Sequence, residues 1–123
     1  MDRRLATAIM LTGFAQAAGG PVSECTRQRW PDRVARLQSC GDDFAIGRAG
    51  ERTQYQIMRA TWEHYSGVPF VASACHPAEA RQVARRILID CERACMRERR
   101  PVTFTNVRRF YRRGGFRHYV AQP

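Results

Sequence analysis

The apolar positions of this chain fall into helical rhythms interrupted by one stretch that has none. In PAEARQVARRILIDCERACMRERR, which Pro77 opens, Ala80, Val83, Ala84, Ile87, Leu88, Cys91 and Cys95 recur at steps of three and four. That spacing is one face of an α-helix, and Arg81, Arg85, Arg86, Glu92 and Arg93 fall mostly on the other faces. A proline in the first turn loses no hydrogen bond, and Pro101 ends the segment. Upstream, DRVARLQS predicts a shorter helix from Pro31 or Asp32, with Val34 and Leu37 on one face. Tyr55 to Ser66 predicts another, with Ile57, Met58 and Trp62 spaced for burial, broken by Gly67 and Pro69. VTFTNVRRFYRRGGFRHYV predicts a last helix up to Gly114-Gly115. Between the first two helices, CGDDFAIGRAGERT (residues 40–53) carries three glycines and no period. The expectation is a mainly α domain with a loop or short hairpin inserted there.

The N-terminus follows a different grammar. Arg3-Arg4 precede LATAIMLTGFAQA, which ends in Ala15-Gln16-Ala17. A basic start, a short apolar run and an A-x-A site are the order of a secretory signal peptide. An ordinary amphipathic helix is the competing reading. The run is too short to span a bilayer as a mature helix, and no other segment looks transmembrane. The expected organisation is a leader over 1–17, a turn-rich linker over 18–31 and one domain over 32–123, with the protein exported to the periplasm or beyond a bacterial cell.

Charge and cysteines refine this picture. The 123 residues carry a net charge of +10, and lysine is absent, so all 21 basic residues are arginine. A GC-rich coding sequence explains the arginine bias as well as selection does. The charge still favours encounter with polyanions such as nucleic acid, anionic lipid or acidic envelope polymers. Cys25, Cys40, Cys75, Cys91 and Cys95 all follow the leader, and in an exported domain they would support one or two disulfides. Cys91 and Cys95, with His76 upstream, match no standard zinc spacing and lie on the apolar stripe, so they read as core. No metal and no cofactor is expected.

The stretch from Leu37 to Trp62, LQSCGDDFAIGRAGERTQYQIMRATW, resembles the active-site segment of lysozyme-like lytic transglycosylases of the soluble lytic and goose-type group. Gln38-Ser39 stands where that group has a Glu-Ser pair. Thr53 to Met58, followed by Arg59, Ala60 and Thr61, resembles its GLMQIMP-x-T block, and an AIGRAGE loop precedes it. Phe104-Thr105-Asn106 weakly echoes the group's A-Y-N block, where Asn106 or Tyr111 would serve. Arg59 replaces the expected proline. The resemblance implies a lysozyme-like α (α+β) fold acting on peptidoglycan glycan strands.

It also implies a chemistry in which position 38 is decisive. Cleaving the β-1,4 bond between N-acetylmuramic acid and N-acetylglucosamine needs a proton on the leaving oxygen, supplied by a glutamate in an apolar pocket. The same carboxylate then takes a proton from the sugar's C6 hydroxyl as a 1,6-anhydro ring closes. Glutamine copies the shape but cannot exchange that proton, and loss of a general acid costs about 10²–10⁴-fold. Glu51 is the best substitute carboxylate, against the plainer reading that it binds loop backbone or pairs with Arg48 or Arg52. By resemblance, Ser39 orients residue 38, Gln56 hydrogen-bonds near the scissile bond, and Tyr55 and Met58 shape the pocket unless they are simply core.

Three functional readings compete. The chain is a peptidoglycan-cleaving enzyme working despite Gln38, or a glycan-binding pseudoenzyme that supports an envelope-spanning apparatus. In the third, it is an arginine-rich nucleic-acid-binding protein. Eight arginines from Arg97 to Arg117, interleaved with Phe110, Tyr111, Phe116 and Tyr119, suit phosphate contacts and base stacking. The export signal disfavours nucleic acid.

Overall fold

The longest apolar stripe becomes the central helix. The computed structural model describes residues 22–114; the expected leader lies outside them. In chain order the described elements are α1 (Glu24–Ser39), α2 (Arg59–Tyr65), a 3-10 helix (Phe70–Cys75), α3 (Pro77–Arg97) and α4 (Phe104–Arg113). The architecture is mainly α. Every residue of the expected stripe on α3 is buried, from Ala80 to Cys95. The other elements pack around that face, placing Trp30, Val34, Trp62, Phe70, Val107 and Tyr111 in one core with it. Each large aliphatic side chain buried there contributes about 1.5–3 kcal/mol. Trp62 is fully enclosed, and its indole N–H donates to the Val68 carbonyl at 2.6 Å, so the ring is buried without leaving its polar atom unpaired.

Two helix starts differ from expectation. α1 begins at Glu24, so most of the predicted linker is helical. Ser23 caps it, its hydroxyl accepting from Thr26 N–H, and Glu24 lies in the first turn where a negative charge suits the helix dipole. Pro31, the expected boundary, sits inside the helix. It withdraws one ladder donor, and Arg81 Nη2 from α3 donates to the nearby Gln28 carbonyl at 3.2 Å. The predicted helix from Tyr55 starts only at Arg59. Residues before it form antiparallel bridges instead, Ile46 with Arg52 and Arg52 with Ile57. The glycine-rich insertion is thus a small bridged loop reaching Ile57.

Capping explains where the later helices stop. Arg99 takes a left-handed turn (φ 55°) after α3, and Arg100 N–H returns to the Cys95 carbonyl. Thr103 caps α4 through Asn106 N–H, and Gly114 (φ 66°) ends it, as the sequence predicts. The five cysteines are all unpaired thiols. Cys25, Cys40 and Cys75 are exposed, while Cys91 and Cys95 are buried. His76 precedes α3, roughly 22 Å along the helix from Cys91 at 1.5 Å per residue. No cluster of three or more metal-ligating side chains forms among the described residues. No helix among them is long and apolar enough to cross a membrane.

Candidate functional site

The bridged loop, the end of α1 and the end of α4 enclose a cleft of about 570 Å³. Gln38 enters from the last turn of α1. Arg48, Ala49, Glu51, Gln56 and Ile57 come from the loop, Met58 and Thr61 from the start of α2, and Ile87 from α3. Tyr111, Arg112, Arg113 and Gly114 come from the end of α4. Five of the residues singled out in the sequence therefore line one cleft: Gln38, Glu51, Gln56, Met58 and Tyr111. Glu51 is the one carboxylate among the lining residues.

The loop is held by a strained turn. Thr53 and Gln56 both have positive φ (67° and 53°), unusual for non-glycine residues and most costly at a β-branched threonine. The turn is closed by Gln56 N–H to the Thr53 carbonyl and by the paired Arg52 and Ile57 backbones. The Gln56 amide N–H₂ donates to the Ala45 and Thr53 carbonyls. Glu51 Oε1 accepts from Ala49 N–H at 2.7 Å. Both tips converge on Gly47: a Cβ there would lie 2.2 Å from Glu51 Oε2 and 2.6 Å from Gln56 Oε1. A side chain at position 47 would have to displace these two groups.

The remaining candidates play other parts. The Ser39 hydroxyl donates to the Gln54 carbonyl at 2.8 Å and accepts from Asp42 N–H, tying the end of α1 to the loop. It does not line the cleft. Tyr55 is 2% exposed and sits in the core, so its role is packing. Burial raises its phenol pKa, partly offset by a hydrogen bond from Arg81. Asn106 belongs to the start of α4, where its amide donates to the Pro101 carbonyl, away from the cleft. Of the two candidates on α4, Tyr111 is the one that lines it. Its hydroxyl donates to the Tyr55 carbonyl at 2.6 Å, and burial pushes its phenol well above the ordinary range.

Sequence reading missed Arg48, Arg112 and Arg113 as cleft residues. The arginine-rich tail was a signal that something anionic could bind, but nothing in its spacing revealed that its last turn faces the loop. The resulting site has one carboxylate, three guanidinium groups, two side-chain amides and an apolar floor of Ile57, Ile87 and Met58. Such a mixture suits a polar, partly anionic ligand with apolar faces. Comparison with known proteins gives no match, whether to family models, curated sequences or solved structures.

Proposed function

We propose that this chain is a lysozyme-like, peptidoglycan-directed domain that binds the N-acetylmuramic acid–N-acetylglucosamine strand in the Gln38 cleft and is catalytically impaired by glutamine at the acid position. The observation that carries this reading is the convergence of Gln38, Glu51, Gln56 and Met58 on one cleft. Sugar rings present apolar faces and hydroxyl edges. Ile57, Ile87 and Met58 suit the faces, and the Gln38 amide and Glu51 Oε2 suit the edges. Binding does not need the proton that Gln38 cannot supply, because affinity and proton transfer use different groups.

Glu51 is the carboxylate available for any residual turnover. Cleavage without an acid at position 38 should run about 10²–10⁴-fold slower than with one. The test is release of anhydro-muropeptides from purified peptidoglycan, read by mass, for the natural chain, Gln38→Glu and Glu51→Gln. Release by Gln38→Glu alone supports the reading. Release by the natural chain that Glu51→Gln abolishes makes Glu51 the working acid. No release and no glycan binding by any folded variant would overturn the proposal.

A further inference from the structure

Helix α4 divides into an apolar stripe and a cationic one. Phe104, Val107 and Tyr111 recur at steps of three and four and pack into the core or against it. Arg108, Arg109, Arg112 and Arg113 occupy the adjoining stripe in two rows, and like charges four residues apart oppose the helix. With Arg33 of α1 they line a groove of about 590 Å³ between the two helices, and no carboxylate lines it. Around α1 and α3 the arginines have acids: Arg27 meets Glu24 and Glu92, Arg81 meets Asp32, and Arg93 meets Asp90. None of the five groove arginines forms an ion pair among the described residues. Arg108 is half-buried, and its Nε is enclosed with no hydrogen-bond partner among those residues. A buried donor in that state gains from any acceptor that reaches it.

The sequence pattern suits phosphate contacts and base stacking together, and the structure separates the two. Phe104, the aromatic ring that lines the groove, is covered by the Arg33 guanidinium at 3.9 Å and leans on Trp30. Tyr111 is buried, and Phe110 is partly buried against the core. Phe116 and Tyr119 lie outside the described residues. The groove therefore offers guanidinium groups without a stacking platform, which suits a backbone whose bases stay stacked on one another. Arg108 to Arg112, and Arg109 to Arg113, advance roughly 6 Å along the axis, close to the step between neighbouring phosphates on one strand. A sugar-phosphate strand is a convex ridge that seats in such a groove, whereas a flat bilayer would span it without reaching Arg108 Nε.

We infer that the α1–α4 groove binds one sugar-phosphate strand of double-stranded nucleic acid, without regard to base sequence. The half-buried Arg108 supplies the innermost phosphate contact, and the exposed Arg33, Arg109, Arg112 and Arg113 supply the outer ones. Arginine suits this task because its planar fork pairs with two oxygens of a phosphate. The inference stands apart from the glycan reading, since Arg33, Arg108 and Arg109 line this groove and not the Gln38 cleft.

The experiment measures binding of the full chain to two short DNA duplexes of unrelated sequence, to oligodeoxythymidine and to phosphatidylglycerol vesicles, over a range of salt. Both duplexes should bind alike, and five arginine–phosphate contacts should cost about 10²–10³-fold in affinity between about 50 and 200 mM salt. Arg33→Gln/Arg109→Gln should reduce the log–log salt slope by about two, and Arg109→Gln alone, at an exposed position, by about one. Arg59→Gln/Arg93→Gln removes the same charge from two exposed ion pairs outside the groove and should keep the natural slope. Equal losses from the two double variants would reduce the interaction to net charge and overturn the inference. Tighter binding of oligodeoxythymidine than of either duplex would overturn it in favour of stacking on a single strand. Absence of duplex binding at about 50 mM salt also overturns it, and attachment to the vesicles would then give the groove to a lipid surface.

Discussion

Gly47 is the residue on which the candidate site turns. A methyl group there would collide with the tips of Glu51 and Gln56, not with backbone. Tips of flexible side chains can move aside cheaply, so Gly47→Ala should lower stability by no more than about 1 kcal/mol. The same movement displaces both groups from the cleft wall, and glycan binding should fall several-fold. Thermal unfolding and a peptidoglycan pull-down on the same preparation check the two halves. Undiminished binding would mean that sugar does not touch this wall. Position 38 shows a different kind of sensitivity. Its environment is shared by loop, α1 and α4, yet the change that matters is chemical, since Glu and Gln fill nearly the same volume.

At the scale of elements, apolar packing between α1 and α3 is joined by an ion pair to a buried carboxylate. Glu92 on α3 is 6% exposed, and Arg27 on α1 meets it with two hydrogen bonds, Nε to Oε2 at 2.8 Å and Nη2 to Oε1 at 3.0 Å. Arg27→Met would strand that carboxylate in the interior, and denaturant unfolding should register a loss of about 3 kcal/mol. Arg27→Met/Glu92→Met should recover most of it, because the paired charges must also be desolvated. A double variant as unstable as the single one would show that packing, not the ion pair, sets the cost. The sequence made α3 legible and α1 only in part, and the reason is physical. The stripe on α3 has one burial partner on every turn, so its period is uninterrupted. The first turns of α1 bury little and are specified by Ser23, Glu24 and Arg27, whose partner lies 65 residues away. The block from Thr53 to Ile57 misled for the opposite reason. Its apolar residues fit a helix, but the left-handed Thr53 and Gln56 turn it into a bridged loop, and backbone strain of that kind leaves no apolar pattern. The cleft was half legible: short blocks near position 38 and the YQIM turn pointed to it, while the α4 wall depended on tertiary packing.

At the scale of the whole molecule, burial holds several weak acids in their neutral form. Burial raises the Cys95 thiol to about 11, with Arg100 pulling the other way, and it raises Cys91, Tyr65 and Tyr111 as well. For Tyr65 the hydrogen bond to Asp90 adds to the effect. In the unfolded chain these groups ionise at their ordinary values, near 9 for a thiol and 10 for a phenol. Above pH 9 the unfolded chain therefore binds fewer protons than the folded one, and stability must fall with rising pH. The contribution of Cys95 is complete below about pH 9 and is lost by about pH 11, on the order of 2 kcal/mol for a shift of this size. Cys95→Ala should flatten the part of the alkaline decline that belongs to this thiol, at the cost of some packing. Thiol labelling gives the same information residue by residue: Cys25, Cys40 and Cys75 should react within seconds to minutes at pH 8, and Cys91 and Cys95 only at the rate of unfolding. Five equally fast thiols would mean that the central helix opens without global unfolding.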